Sequence, residues 1–361
     1  DSSTSRGLGD VYKRQLLYVA EGTLLRQAVD PSSMQPSGAP VPIAEGVANF
    51  STALDGTLVY RAAEGGTQEP AELHWVDRTG KALPGLRATI PGIEVKVSRD
   101  GKRVAAVQAR GAVEENIWIY PTAGGAPTRF TFDEVSNRGV LWSPDGQWIA
   151  YGSGPPRAHD RILRKNTLSL APAETILTGG NDFRMSDWSQ DGRYILFADV
   201  GKTTGPDLWL LDLTAKGAKP ILYLQTPAQE YRASFSPDGK WVAYTSDEQK
   251  HFEVFVQSVP PGQKFQVSTK GGADPVWSAD GQELYYSDPE GNLMAVPVKT
   301  TPQLALGTPR ALFQAEFASR SGRNYSPAPD GKSFAVLTRP EVKDSALPYT
   351  VVINWQAGLK Q

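Results

Sequence analysis

The 361-residue chain has no cysteine, which excludes disulfides, thiolate metal sites and cysteine nucleophiles. Its three histidines, His74, His159 and His251, stand too far apart in sequence to read as a ligand pair, so no metal site is expected. No apolar run approaches the roughly 20 residues that cross a bilayer, so no membrane span is expected in this stretch of chain. A formal net charge of −2 leaves no basic footprint for nucleic acid. Helical periodicity is missing over any useful length.

Catalytic motifs are missing as well. No G-x-S-x-G elbow occurs, which removes serine hydrolases of that type. "HDRILRKN" (159–166), followed by "DFR" (182–184), has the wrong order for a kinase catalytic loop, because Asp160 precedes Arg161 and Arg184 stands where the metal loop needs Gly. "GKTT" (201–204) lacks the upstream glycine of a phosphate-binding loop, whose place is held by Leu196. No catalytic residue, cofactor site or metal ligand is therefore expected.

What the chain does contain is a repeat. "ALDGTLVY", "SRDGKRVAAV", "SPDGQWIAY", "SQDGRYILF", "SPDGKWVAY", "SADGQELYY" and "APDGKSFAV" centre on Asp55, Asp100, Asp145, Asp191, Asp238, Asp280 and Asp330, which follow one another at 42 to 50 residues. Each x-D-G is a hairpin turn: Asp bonds its own local backbone and Gly supplies the positive φ. A short strand precedes the turn, an alternating strand follows, and two more strands complete each unit. Four antiparallel strands at a period near 45 predict an all-β chain, a β-propeller of about seven to eight blades that is truncated at its N-terminus. The turn aspartates are structural in this reading, and the nine tryptophans pack between blades.

The ends are expected to be irregular. Asp10–Gln15 can be written back as GAT GTG TAT AAG AGA CAG, the form of a transposon end used in preparing sequencing libraries. Residues 1–15 are accordingly read as adapter-derived, with native sequence starting at Leu16. A partial first blade is expected over 16–47, full repeats from 48 onward, and an incomplete closing blade over 324–361.

The S-P-D-G-x-x-φ-A-Y repeats resemble the WD40-like, TolB-type propellers. More narrowly, "LLYVAEGTLLRQAVD", "LHWVDRTGK", "TRFTFDE", "KFQVSTKGGADPVWSADGQELYY" and "TVVINWQAGLK" resemble the C-terminal propeller of bacterial membrane-anchored serine/threonine protein kinases. That resemblance implies a non-catalytic binding or sensory domain outside the cytoplasm, with the kinase and its membrane helix upstream. Two alternatives stay open: a TolB-like periplasmic scaffold that docks proteins, and the gating propeller of a prolyl-oligopeptidase-like peptidase. Either way the partner is an unknown protein or small molecule at a propeller face.

One site can be guessed from the repeat. The innermost strand of each blade runs from the funnel mouth to the x-D-G turn, so residues six or seven before the Asp should ring the mouth. Those residues are Arg138, Arg184, Arg232 and Asp274. The arginines either hold a carboxylate or phosphate together or clamp neighbouring loops through local ion pairs.

Overall fold

The computed structural model describes residues 11–352 apart from 13–14, 21–22, 31, 34, 45–46, 54–56, 63–69, 111–113, 134, 157, 170, 202–203, 215–216, 218, 319–321 and 341–348. Every regular element within that range is a strand. The chain divides into two compact units, one from 1–67 with 341–361 and the other from 68–340.

The larger unit holds six sheets in chain order. Blade 1 is Gly92–Val97, Arg103–Arg110, Glu114–Pro121 and Thr128–Arg129; blade 2 is Ser136–Trp142, Trp148–Gly154, Arg161–Asn166 and Glu174–Thr178. Blade 3 is Arg184–Trp188, Tyr194–Val200, Pro206–Asp212 and Ile221–Leu224; blade 4 is Glu230–Phe235, Trp241–Ser246, Glu253–Ser258 and Lys264–Gln266. Blade 5 starts at Ala273–Trp277 and runs through Glu283–Ser287 to Asn292–Lys299, which pairs with both Ala305–Leu306 and Arg310–Gln314. Blade 6 is composite: Tyr325–Pro327 and Ser333–Thr338 pair with Ala71–Asp77 and Ala82–Ile90 from the start of the unit.

Six apolar clusters, one at each junction, make this series a closed ring. Val107 and Ile117 pack with Val140 and Ile149 between blades 1 and 2, and Leu141 and Ile162 with Trp188 and Phe197 between blades 2 and 3. The junctions continue through Leu208 with Phe235, Val256 with Leu284, and Tyr285 with Phe334. The sixth cluster sets Leu73 and Leu337 against Val95 and Val104, so blade 6 packs on blade 1. Each sheet buries both faces, which is why the middle strands read as near-continuous apolar runs such as "WVAYTS", buried throughout.

The repeat turns look alike at atomic scale. In blades 1 to 5 a serine two residues before the Asp donates its hydroxyl to that Asp (Ser98 to Asp100 and Ser236 to Asp238, both 2.6 Å), and the Asp accepts the amide two residues on. The serine hydroxyl then accepts a hydrogen bond from the amide of the next strand's first residue, as Ser143 Oγ does from Trp148 N at 2.9 Å. The turn glycines have φ between 65° and 77°, the region open to Gly without strain.

The smaller unit has two sheets. Val11–Tyr12, Gln15–Ala20, Thr23–Val29 and Pro36–Ala44 form one; Val47–Thr52, Leu58–Ala62 and Tyr349–Val352 form the other. Leu17 and Leu24 of the first pack with Val47 and Leu58 of the second.

The strand pairing bears on three of the expected boundaries. The sheet that holds the partial blade expected over 16–47 also contains the short strand Val11–Tyr12, and Gln15 opens its neighbour, both inside the stretch read as adapter; 1–10 and 13–14 lie outside the described residues. The repeat beginning at 48 is not continuous with the ring, because Val47–Thr52 and Leu58–Ala62 pair with Tyr349–Val352 in the smaller unit. The closing blade read over 324–361 is split: 325–338 is completed by 71–90, whereas 349–352 leaves for the other unit. The reason is pairing at long range. Ser333 faces Asp77 and Thr338 faces Glu72, and no local pattern reports which distant strand will satisfy an edge.

Candidate functional site

Each innermost strand starts at the end of the ring that the sequence reading named the mouth and finishes at the x-D-G turns. The two ends of the larger unit are built differently.

At the turn end, the axis widens into a cavity of about 180 Å³ bounded by Lys96, Arg99, Asp187, Gln190, Ser234 and Ser326, with Trp142 and Trp277 in its walls. Lys96 Nζ lies 3.3 Å from Asp187 Oδ1, and the other Asp187 oxygen accepts the Phe235 amide at 3.0 Å. Both side chains are largely buried. Burial pushes the Lys96 ammonium down against the pull of Asp187. Burial also works to raise Asp187, but Lys96 and Arg99 outweigh it, and the carboxyl sits below its ordinary range. Arg99 Nη2 donates to the Trp188 carbonyl at 3.1 Å, bridging from blade 1 to blade 3. Two cations against one carboxylate leave this pocket with a positive bias.

Tryptophans stitch the neighbouring strands around it. Trp142 Nε1 donates to the Lys96 carbonyl at 3.0 Å, and Trp277 Nε1 to the Ser234 carbonyl at 3.2 Å, each reaching the preceding blade.

At the mouth, the four residues expected there are accounted for by local pairs. Arg232 Nη1 meets Asp274 Oδ2 at 2.8 Å, joining blades 4 and 5. Burial would lower the Arg232 pKa, yet Asp274 reverses that and raises it. Arg184 Nε meets Asp182 Oδ2 at 3.1 Å, and Arg138 Nε lies 3.7 Å from Glu115 Oε2, joining blades 2 and 1. Both Arg232 and Asp274 hold positive φ, 54° and 60°, and Gly139 holds 71° at the same place in blade 2. These are the residues at which the innermost strands slip register against their partners, at bulges that re-aim side chains.

The ring of charge is wider than those four. Glu94, six before Asp100, and Arg323, seven before Asp330, complete one charged residue for every blade. Glu94 is raised by burial against the opposing influence of Arg138 and Arg323, and one of its oxygens accepts the Gly139 amide at 3.1 Å. Extending the same count to blades 1 and 6 would have found both. Lys96 and Asp187, four before their turns, could have been found likewise.

His159 belongs to an arrangement that spacing alone conceals. Its Nδ1 lies 2.8 Å from Asp182 Oδ1 and its Nε2 lies 3.0 Å from Ser136 Oγ, the order of a Ser-His-Asp triad. Yet Ser136 is fully buried, leaving no room for a substrate carbonyl, and its hydroxyl also bonds Glu115. The set ties blades 1, 2 and 3 together. Burial tends to raise Asp182, but His159 and Arg184 overcome it and hold the carboxyl at about 2.

The segments that superficially resemble other machinery are strands and turns. Arg161–Asn166 is the third strand of blade 2, and Gly201 and Thr204 flank 202–203, which lie outside the described residues, just before strand Pro206–Asp212. No group of three or more potential metal ligands occurs among the described residues, and no helix there is long and apolar enough to cross a membrane.

No family model matches the chain. It is 25% identical over 218 residues to the Bacillus subtilis (strain 168) protein described as uncharacterized peptidase YuxL, covering 56% of this chain and 30% of that one. It is 38% identical over 147 residues to the Tol-Pal system protein TolB of Pseudomonas fluorescens (strain Pf-5), covering 35% of this chain and 34% of that one. The chain thus spans about a third of the length of these curated relatives. Among solved structures, a TolB from Agrobacterium tumefaciens superposes with a TM-score of 0.60 at 14% identity, over 76% of this chain and 99% of that one. Together with the six turn-tied antiparallel blades, this likeness gives the chain the TolB-type β-propeller fold.

Proposed function

We propose that the larger unit is a non-catalytic, TolB-like binding scaffold acting outside the cytoplasm, which takes its partner at the turn end of the ring. The observation that carries this reading is the axial cavity. It mixes polar and apolar lining, has a positive bias and is walled by tryptophan, a composition that suits one anionic or hydrogen-bonding side chain of an extended protein segment. The mouth arginines Arg138, Arg184 and Arg232 are taken as clamps between loops, with Asp274 the counter-charge of Arg232, because each already faces a carboxylate. The relatives and the fold favour a scaffold over a domain borne by a kinase, a reading that rests on the resemblance of segments alone.

The peptidase relative supports a second reading, a gating propeller beside a hydrolase domain, since that match extends over more than half of this chain. One experiment tests the scaffold reading. Extended peptides displayed on phage are panned against the purified chain, then against Arg99→Glu and Ser326→Trp variants. The scaffold reading expects selected peptides enriched in acidic residues whose affinity drops at least tenfold in both variants. Binding that ignores both substitutions would overturn the turn-end assignment, and cleavage of the peptides by the purified chain would overturn the scaffold itself.

A further inference from the structure

The connection between blades 3 and 4 hangs from three carboxyl groups. Gln225 Nε2 donates to Asp207 Oδ2 at 2.9 Å, Thr226 Oγ1 donates to Glu230 Oε1, and Gln229 donates its backbone amide to Asp247 Oδ1 at 2.8 Å. Thr204, from the neighbouring loop of blade 3, gives a further hydrogen bond to Asp207 Oδ2 at 2.7 Å. Asp207 and Glu230 are almost wholly buried, 2% and 0% exposed, and each has one oxygen, Oδ1 and Oε2, without a hydrogen-bond partner. An ionised carboxylate oxygen in that position is costly, and protonation removes the cost.

The surroundings favour protonation of Glu230. Asp207, on the third strand of blade 3 that packs against the first strand of blade 4, adds its charge. Within blade 4, Glu230 lies opposite Ser246, and Ser246 opposite Glu253, so a second buried carboxyl stands two strands away in the same register. Glu253 is itself bonded by His251 and Ser268. Lys264, the cation that acts on Glu230, is already paired with Glu248, and Asp247 is bonded by Gln229. The neighbouring Tyr223 and Tyr244 hydroxyls are pushed up by burial and stay neutral throughout. Burial first, with Asp207 adding to it, raises Glu230 to about 7.

We propose that Glu230, seated beside Asp207, is a proton-gated latch on the loop that links blades 3 and 4 at the mouth of the ring. With the proton on, Thr226 and Gln225 hold the loop down. With it off, Glu230 carries a buried charge whose Oε2 has no hydrogen-bond partner, and the loop lifts to let water reach it. The sign follows from proton counting. The closed loop binds a proton that the open loop, with Glu230 in water near its ordinary 4.5, does not. Opening therefore grows easier as pH rises from about 4.5 to about 7, and is independent of pH above that window.

Amide hydrogen exchange over 225–230, corrected for the intrinsic pH dependence of exchange, reads the latch directly. Protection of the Ala228 and Gln229 amides should fall about tenfold per pH unit between pH 5 and 7, as the release of one proton requires, and level off beyond. Glu230→Gln should abolish the slope. Asp207→Asn should move the upper edge of the window to lower pH, a shift that a purely packing role for Asp207 would not produce. Circular dichroism and protection elsewhere in blade 4 check that each variant is folded. Should Glu230→Gln not fold, Thr226→Val replaces it, with lower protection and an unchanged slope expected. Flat protection from pH 5 to 8 in the unaltered chain, a slope that survives Glu230→Gln, or a slope lost in Thr226→Val would each overturn the latch.

Discussion

The two ends of the ring are made from the same six strands and follow opposite rules. At the turn end one device is repeated: a serine, an aspartate and a glycine close the hairpin with the same hydrogen bonds in five blades, and in the sixth Asp330 still accepts the Lys332 amide although Ala328 replaces the serine. At the mouth nothing is repeated except position. Glu94, Arg138, Arg184, Arg232, Asp274 and Arg323 occupy equivalent places with different charges and partners. Repetition serves the architecture, because every blade must turn the same way. Variation serves the junctions, because each pair of blades must be joined to one neighbour and no other.

The sharpest way to break this comparison is at the axis of the repeated end. Asp187→Ala removes the partner of the buried Lys96 ammonium and the acceptor of the Phe235 amide in one step. Breaking a buried pair from one side should cost about 3–5 kcal/mol, measured by chemical denaturation at pH 7. Replacing both residues together, as Lys96→Met with Asp187→Leu, should recover most of that loss, since no uncompensated charge remains. If the single and double variants are equally destabilised, the pair is not coupled and the cavity is held by its tryptophans alone.

A turn substitution should be milder. Asp145→Ala loses the bonds from the Ser143 hydroxyl and the Gln147 amide, the latter 3.0 Å long, at a site water can reach. Those bonds, made to an ionised acceptor held below its usual range by Ser143 and Gln147, are expected to contribute about 1–2 kcal/mol. Because blades 1 to 5 share the device, Asp100→Ala and Asp238→Ala should fall within the same range. A spread much wider than this would mean that the repeated turns do unequal work.

What was legible in the sequence follows the same division. The turns were readable because Asp and Gly at a fixed offset have one local explanation, and the blades because four short strands recur at one period. The mouth positions Arg138, Arg184, Arg232 and Asp274 were placed by counting back from those turns. Asp182, two residues before Arg184, and Asp274 are within reach of the same count, whereas Glu115, the partner of Arg138, is not, because it comes from the neighbouring blade and its approach depends on the closed ring. The ring closure itself was hidden for a related reason. "AELHWVD" and "SFAVLT" are each ordinary strands, and that they meet across more than 250 residues is decided by which edges are left unpaired. Buried charge was the hardest to see, since Asp187, Asp207 and Glu230 look like any surface carboxylate until burial is known.

The smallest effect is expected at Arg184. Its side chain is about half exposed, 48%, and it pairs with a carboxylate that His159 already holds at 2.8 Å. Removing an exposed partner of this kind should change stability at pH 7 by less than about 1 kcal/mol. The acid limb is more informative. Asp182 lies at about 2 in the folded chain against 3.8 ordinarily, so its contribution is present above the ordinary value and is lost as pH falls through the folded one. Arg184→Ala should raise the folded pKa only part of the way, because the His159 bond remains. The loss on acidification therefore begins at the same pH and ends slightly higher, so the difference in denaturation midpoint between the two proteins is constant above about pH 4 and shrinks below it. His159→Phe, by contrast, removes the tie that spans blades 2 and 3 and should be felt at neutral pH too. If Arg184→Ala proves as damaging at pH 7 as His159→Phe, the guanidinium is carrying the junction, and the mouth arginines are structural members in their own right rather than trim on a buried histidine clamp.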